Sequence, residues 1–149
     1  MNENPAPSAT RDELQARIQS SFERSGLLRH LGAHLGEVAP GRVHIHLPYG
    51  AELTQHLGFF HAGATTSIAD TAGGFAALTM VPPGHTVLSV EFKINLMAPA
   101  QGESLEAVGR VIRAGRTLLV AQVDVYAVEL GEKTPVALMQ QTLMSISEK

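Results

Sequence analysis

Cysteine and tryptophan are both absent from the 149 residues. Without cysteine there are no disulfides, no thiolate-ligated zinc, no iron–sulfur cluster and no thiol nucleophile. A basic excess is missing too. Eleven Lys and Arg stand against fourteen Asp and Glu, a net charge of −3, which argues against a general nucleic-acid binder with a basic face. No run of about 18 apolar residues occurs, so no membrane-spanning helix is expected. The opening MNENPAPSATRDELQ lacks the basic stretch and apolar core of a secretory signal. With no cysteine, that points to the cytoplasm. No repeat is visible at a period of about 20–50 residues.

Hydrophobic residues make up 44% of the chain and charged residues 17%, which is the composition of a folded chain. The length suits one domain that buries roughly 70% of the surface its unfolded chain exposes. Residues 1–9, with Pro5 and Pro7, read as a loose, flexible arm, and 10–149 as a single domain. Thr10 followed by Glu13 forms a capping-box pattern. Leu14, Ile18 and Phe22 then recur at helical spacing, and Gly26 reads as the stop.

A β pattern follows. After the Pro40-Gly41 turn signal, Val43, Ile45 and Leu47 alternate with Arg42, His44 and His46. The segment from His34 to Val38 is the expected hairpin partner. Residues 62–80 then read as a helix of small residues, with Ala62, Ala69, Ala72, Gly73, Gly74, Ala76 and Ala77. Each mid-helix glycine costs roughly 1 kcal/mol relative to Ala. Close approach of another backbone layer is the natural compensation, so this helix is expected to lie on a sheet. Pro82-Pro83-Gly84 ends it.

Four strand patterns complete the chain, at 88–97, 103–112, 117–129 and 134–146. In the first of them Leu88, Val90, Phe92, Ile94 and Leu96 alternate with Ser89, Glu91, Lys93, Asn95 and Met97. The expected fold is α+β, with a six-stranded antiparallel sheet curled around one long helix and an extra N-terminal helix.

The stretch Gln55-His56-Leu57-Gly58-Phe59-Phe60-His61-Ala62-Gly63, followed by Asp70, carries the chemistry. It resembles the PaaI-type branch of the hotdog-fold acyl-CoA thioesterases over roughly residues 30–147. That branch has an amide residue, a Gly, a His-Gly-Gly at the helix start and an acid further along. Here Gln55, Gly58, His61, Gly63 and Asp70 stand at those places. The first Gly of His-Gly-Gly is Ala62, and Gln55 stands where many members have Asn.

The resemblance implies hydrolysis of an aryl- or medium-chain acyl-CoA with no cofactor or metal. It also implies a homodimer that assembles into a homotetramer, with sites shared between subunits. Asp70 would attack the thioester or activate water. The backbone N–H groups of Ala62 and Gly63, at a helix N-terminus, would receive the oxyanion. Gln55 would position water, His61 would tie the loop to the helix, and Ser89 would hold the acid or the water. Phe59, Phe60, Phe75 and Met97 would line the acyl tunnel. Arg110, Arg113 and Arg116, clustered around a hairpin, would meet the CoA phosphates.

Simpler readings stand beside these. Gln55 can hydrogen-bond its own turn, and Ser89 can face outward from its strand. The three arginines can be a solvated turn. His44 and His46 share a strand face and form a candidate metal pair with no evident third ligand. His30 and His34 are separated by Gly32, which disfavours a helical zinc pair. Two other functions remain open: a hotdog hydratase or dehydratase acting on enoyl- or hydroxyacyl-CoA, and a non-catalytic acyl-CoA-binding module.

Overall fold

The computed structural model describes residues 9–149. The arm expected over residues 1–9 lies, through residue 8, outside the described residues. Helix α1 spans Arg11–Glu23 with Thr10 as its N-cap, and the capping box is closed on both sides. The Thr10 Oγ1 accepts from Glu13 N at 3.3 Å, and Thr10 N donates to Glu13 Oε2 at 2.9 Å. Such a cap contributes about 1 kcal/mol. Leu14 and Ile18 are buried, each worth about 1.5–3 kcal/mol of apolar transfer.

Gly26 does not simply stop a helix. Helix α1 ends at Glu23, and Gly26 opens a second, short helix, α2 (Gly26–Leu31). Leu28 anchors α2, and Gly32 closes it at φ 76°. The left-handed conformation at Gly32 is open to glycine with little strain.

Six strands follow the expected order: β1 (His34–Ala39), β2 (Arg42–Pro48), β3 (His85–Leu96), β4 (Ser104–Ala114), β5 (Leu118–Glu129) and β6 (Glu132–Ser147). They form one sheet in the order β1-β2-β4-β5-β6-β3, with every pair antiparallel. The sheet wraps helix α3 (Ala62–Leu78). The expected hotdog architecture is present. It leaves β1 and β3 as edge strands, and α1 packs against β1.

Two glycines set how closely helix and sheet meet. A Cβ on Gly109 of β4 would land 2.7 Å from the Gly73 nitrogen and closer still to the Ala72 carbonyl. A Cβ on Gly73 would collide with the Gln141 side chain. Ala64, Ile68, Ala69, Ala72, Ala76 and Ala77 complete the buried face of α3. Gly73, which weakens the isolated helix, is therefore also what lets α3 sit against the strands, whereas a Cβ at Gly74 would meet nothing nearer than Leu143 at 3.9 Å.

One strand departs from its alternation. A bulge in β3 shifts the register between Ser89 and Glu91. Ser89 pairs with Leu143, and Phe92, Ile94 and Leu96 pair with Gln141, Met139 and Ala137. All of these face the helix. Leu88 pairs with Met144 on the opposite face, so it does not share a face with Phe92 as strict alternation predicts. A bulge inserts one residue and reverses the parity of everything before it.

Gly109→Ala is expected to be among the most damaging single-methyl changes in the chain. The clash is with backbone, which cannot rotate away, so a loss of about 3 kcal/mol or more is expected. Chemical denaturation of the purified variant reads it, and a midpoint equal to wild type would refute the close contact.

Candidate active site

The loop before α3 is held at several points. Gln55 N donates to the Phe59 carbonyl at 2.9 Å, Gly58 N donates to the Gln55 carbonyl at 3.0 Å, and Gly58 turns at φ 86°. Phe60 is buried, stacks edge-on against Tyr49 with ring centres 5.5 Å apart, and donates its N–H to the Ala100 carbonyl at 2.9 Å. His61 N donates to the Leu53 carbonyl at 2.8 Å. These bonds fix where α3 begins.

His61 is the N-cap of α3, and its Nδ1 accepts from Gly63 N at 2.8 Å. That role requires a neutral ring with its proton on Nε2. The Gly63 N–H is thus engaged by His61, while the Ala62 N–H has no partner among the described residues. The Gln55 Oε1 accepts from Leu57 N, within its own turn. This loop role was the simpler of the two readings of Gln55, and its amide nitrogen has no partner among the described residues. Gln55, Phe59, Phe60 and Ala62 line one cavity of about 360 Å³ together with Leu96 and Pro99.

Asp70 lies further along α3, half-buried, where the side packed on the sheet gives way to the open one. Gly63, Thr66, Ser67, Thr71 and Gly74 share that open side. Ser89 donates from Oγ to Asp70 Oδ1 at 2.7 Å. The β3 bulge makes this contact, since unbroken alternation would turn Ser89 away from the helix. Asp70 and Ser89 open into a second cavity of about 310 Å³, walled by Phe75, Leu78, Val87 and Leu143. Ser21 of the last turn of α1, with Arg24 and Ser25 of the α1–α2 junction, completes its rim. Phe75 belongs to this second cavity and not to the one lined by Phe59 and Phe60. Met97 is exposed.

Sequence reasoning missed Gln141. It is fully buried on β6, and its Nε2 donates to Asp70 Oδ1 and to Ser89 Oγ, the latter at 2.9 Å. The available signal was a polar residue inside an alternation of Ala137, Met139 and Leu143.

The arginines separate. Arg110 is ion-paired with Asp124 on the outer face of the sheet, while Arg113 and Arg116 are exposed at the β4–β5 hairpin. The histidines also resolve. His30 is in α2 and His34 begins β1, with the Gly32 cap between them.

His44 and His46 face outward and do have a carboxylate nearby. The His44 Nδ1 lies 2.9 Å from Glu106 Oε1, and His46 Nε2 lies 3.9 Å from the same oxygen. Lys133 sits against the other oxygen, Oε2, and Arg42 Nε donates to His44 Nε2 at 3.0 Å. Two cations therefore already occupy the cluster, which is a poor setting for a divalent metal. No metal-binding group is found among the described residues.

Comparison with known proteins is decisive at the family level. Residues 57–133 match the family described as the Thioesterase superfamily. The chain belongs to the thioesterase superfamily. A provisionally named esterase of Halobacterium salinarum is 33% identical over 119 residues, covering 76% of this chain and 78% of that protein. The human acyl-coenzyme A thioesterase 13 is 32% identical over 91 residues, covering 60% of this chain and 64% of its own. A crystal structure of a thioesterase family protein from Silicibacter pomeroyi superposes with TM-score 0.88 at 38% identity, covering 91% of this chain and 99% of that one. The E. coli PaaI protein of the phenylacetic acid degradation operon shares the fold, with TM-score 0.83 at 18% identity over 95% of this chain and 99% of that one. Membership supports thioester hydrolysis as the reaction class. No described helix is long and apolar enough to cross a membrane.

The outer-face cluster gives the fold a pH dependence. Burial raises the Glu106 carboxyl, but its bonds to Lys133 and His44 outweigh this and hold it below the ordinary value of 4.5. Its contribution to stability is full above that value and is lost as the pH falls from there through the lowered value of the folded state. Burial likewise lowers His46 from 6.5, against the pull of Glu106. Protonating His46 therefore favours the unfolded chain as the pH drops below that value. Glu106→Gln is expected to lower Tm at neutral pH and to flatten its decline on the acid side. Parallel Tm–pH curves for variant and wild type would count against this assignment.

Proposed function

We propose that the protein hydrolyses an acyl-coenzyme A thioester to the free acid and coenzyme A, with Asp70 as the catalytic carboxylate. One observation carries the reading: in a thioesterase-family chain, Asp70 sits at the edge of the open side of a small-residue helix, fixed by Ser89 at 2.7 Å, at a cavity large enough for a small acyl group. The likeness to a relative named as an acyl-coenzyme A thioesterase supports the substrate class.

The chemistry needs little apparatus. Asp70 takes a proton from water as the water oxygen bonds to the thioester carbon, or its carboxylate attacks directly and water cleaves the resulting anhydride. Either way the carbonyl oxygen gains negative charge, and the unpartnered Ala62 N–H at the positive end of α3 is a suitable donor for it. Collapse breaks the C–S bond, and the thiolate leaves without needing a metal. Arg113 and Arg116, exposed at the hairpin, suit the phosphates of coenzyme A.

Helix geometry supports a site made from two copies. Ala62 and Asp70 are eight residues apart on α3, about 12 Å along the axis. A carboxylate and an oxyanion donor must both reach one thioester group at about 3 Å. A second copy with its α3 antiparallel brings the Asp70 of one chain to the Gln55–Gly63 loop of the other. The β3 edge supports that pairing, since Leu88, Val90, Phe92 and Leu96 are all exposed along it. An open apolar edge calls for a cover.

Asp70→Asn keeps the shape and removes the charge. A fall in kcat of about 100-fold or more is expected, with folding intact, measured as thiol release from acetyl-, hexanoyl-, benzoyl- and phenylacetyl-CoA. Wild-type turnover in the variant would sink the assignment. A wild-type protein that binds these thioesters without release is a binding module. One that changes enoyl-CoA absorbance without releasing thiol is a hydratase.

Complementation tests the shared site. Asp70→Asn is co-refolded with an inactive variant damaged at Gln55. A mixed dimer then carries one site with both defects and one with neither, so activity should partly return. No recovery, with subunit exchange confirmed by mass, would mean that each site is built within one chain.

A further inference from the structure

Gln141 has no evident reason to be polar if its task is packing. It is 0% exposed and alternates with the buried apolar residues Ala137, Met139 and Leu143 along β6. Leu or Met would fill the same place, whereas an amide removed from water is unfavourable unless its bonds are replaced.

The bonds it makes all point one way. Nε2 donates to Asp70 Oδ1 and to Ser89 Oγ at 2.9 Å, and lies 3.3 Å from the Asp70 main-chain carbonyl. Ser89 itself donates to Asp70 Oδ1 at 2.7 Å. Gln141, Ser89 and Asp70 thus close a triangle in which two donors converge on a single carboxylate oxygen. The other oxygen, Oδ2, accepts no bond from any described residue.

The opposite end of the amide shows that this orientation comes at some expense. Gln141 Oε1 is buried and has no hydrogen-bond partner among the described residues. It rests against Gly73, at a place a Cβ would occupy. Flipping the amide would set its carbonyl against the Asp70 carboxylate, acceptor on acceptor. The arrangement therefore leaves one acceptor unsatisfied so as to keep the N–H groups on Asp70 and Ser89. It also needs glycine at 73.

We infer that Gln141 is a positioning residue for the reaction: with Ser89 it pins Oδ1 of Asp70 and leaves Oδ2 as the oxygen presented to water or thioester. This rests on Asp70 being the catalytic carboxylate. The effect is on the chemical step, because Gln141 lies behind Asp70 and is shut off from the cavity by burial. Loss of the amide frees the carboxylate to rotate about its χ2 and lowers the fraction of time in which Oδ2 is aimed. Ground-state binding of the thioester is left alone.

Gln141→Met tests this, since Met fills the volume of Gln without its donors. Thiol release is followed on whichever of the four acyl-CoA thioesters named above the wild type turns over. The kcat is expected to fall about 10-fold or more, with KM within about twofold and Tm equal to or above wild type. A packing role would leave kcat untouched in this variant. Gln141→Leu is the second arm, because it too removes both donors at similar volume and cannot regain one by taking up a proton. Its kcat should fall by at least as much. Should Gln141→Met fail to fold, Gln141→Leu decides. A folded variant of either kind with kcat within twofold of wild type, while Asp70→Asn is inactive, overturns the inference and leaves the thioesterase reading standing. Full turnover in Asp70→Asn overturns both.

Discussion

The contact on which the rest of the structure depends is the close approach of α3 to the sheet. Gly109 admits the Ala72 carbonyl, and Gly73 admits the Gln141 amide. A larger residue at either place would push the layers apart. The two mid-helix glycines, helped by the β-branched Thr65, Thr66, Ile68 and Thr71, make α3 a weaker helix than its alanines alone would. Tertiary burial, with Ile68, Ala69, Ala72, Ala76 and Ala77 all at 0% exposure, is what holds it helical. The same closeness sets the reach of the site. A strand side chain as short as Ser89 can touch a helix carboxylate only when the two backbones lie this near each other.

Much of this could be read from the sequence, because it is written in periodicity and local chemistry. The Thr10–Glu13 box, the thin helix after His61 and the six strands all follow from residue spacing. The helix glycines signalled a close layer only in part: the backbone contact is made at Gly109 of β4, Gly73 meets the Gln141 side chain, and Gly74 makes no close contact. The Asp70 position and the loop before it were legible through family resemblance. Two fold features were not. Gly26 looks like a stop because glycine ends helices more often than it begins them, yet here Leu28 and the Gly32 cap sustain another turn and a half. The β3 bulge leaves no mark in a binary pattern, since one inserted residue preserves the look of alternation while reversing the face of what precedes it.

That bulge explains why the candidate site was less legible than the fold. Under plain alternation Ser89 faces away from the helix, on the side opposite Phe92 and Ile94. Only the register shift brings it to Asp70. Gln141 is a harder case, since it lies 71 positions from Asp70 in the chain and meets it through a pairing that only the folded sheet creates. Its one sequence trace is its polarity within an apolar alternation. The outer-face cluster was half visible. His44 and His46 stood out as a pair, but Glu106 and Lys133 come from other strands, and the charges they bring turn a candidate metal site into an ion-pair network.

On the proposed reading, one helix carries both the oxyanion donor at its start and the carboxylate in its middle. The rise of an α-helix keeps them about 12 Å apart, and no side-chain rotation can close that gap. A chain that places both groups on one rigid rod therefore cannot use its own pair. It can use a partner's, and an antiparallel copy matches each start to each middle twice over. The open side of α3 is suited to this because Gly63, Ser67 and Gly74 are small. The exposed β3 edge offers the hydrogen bonds and apolar surface to hold the copies in register. Folding and pairing then serve the same end: the small residues that seat α3 on its own sheet have their counterpart on its open side, where a second helix must come equally near for Asp70 to meet a thioester held at another chain's Ala62.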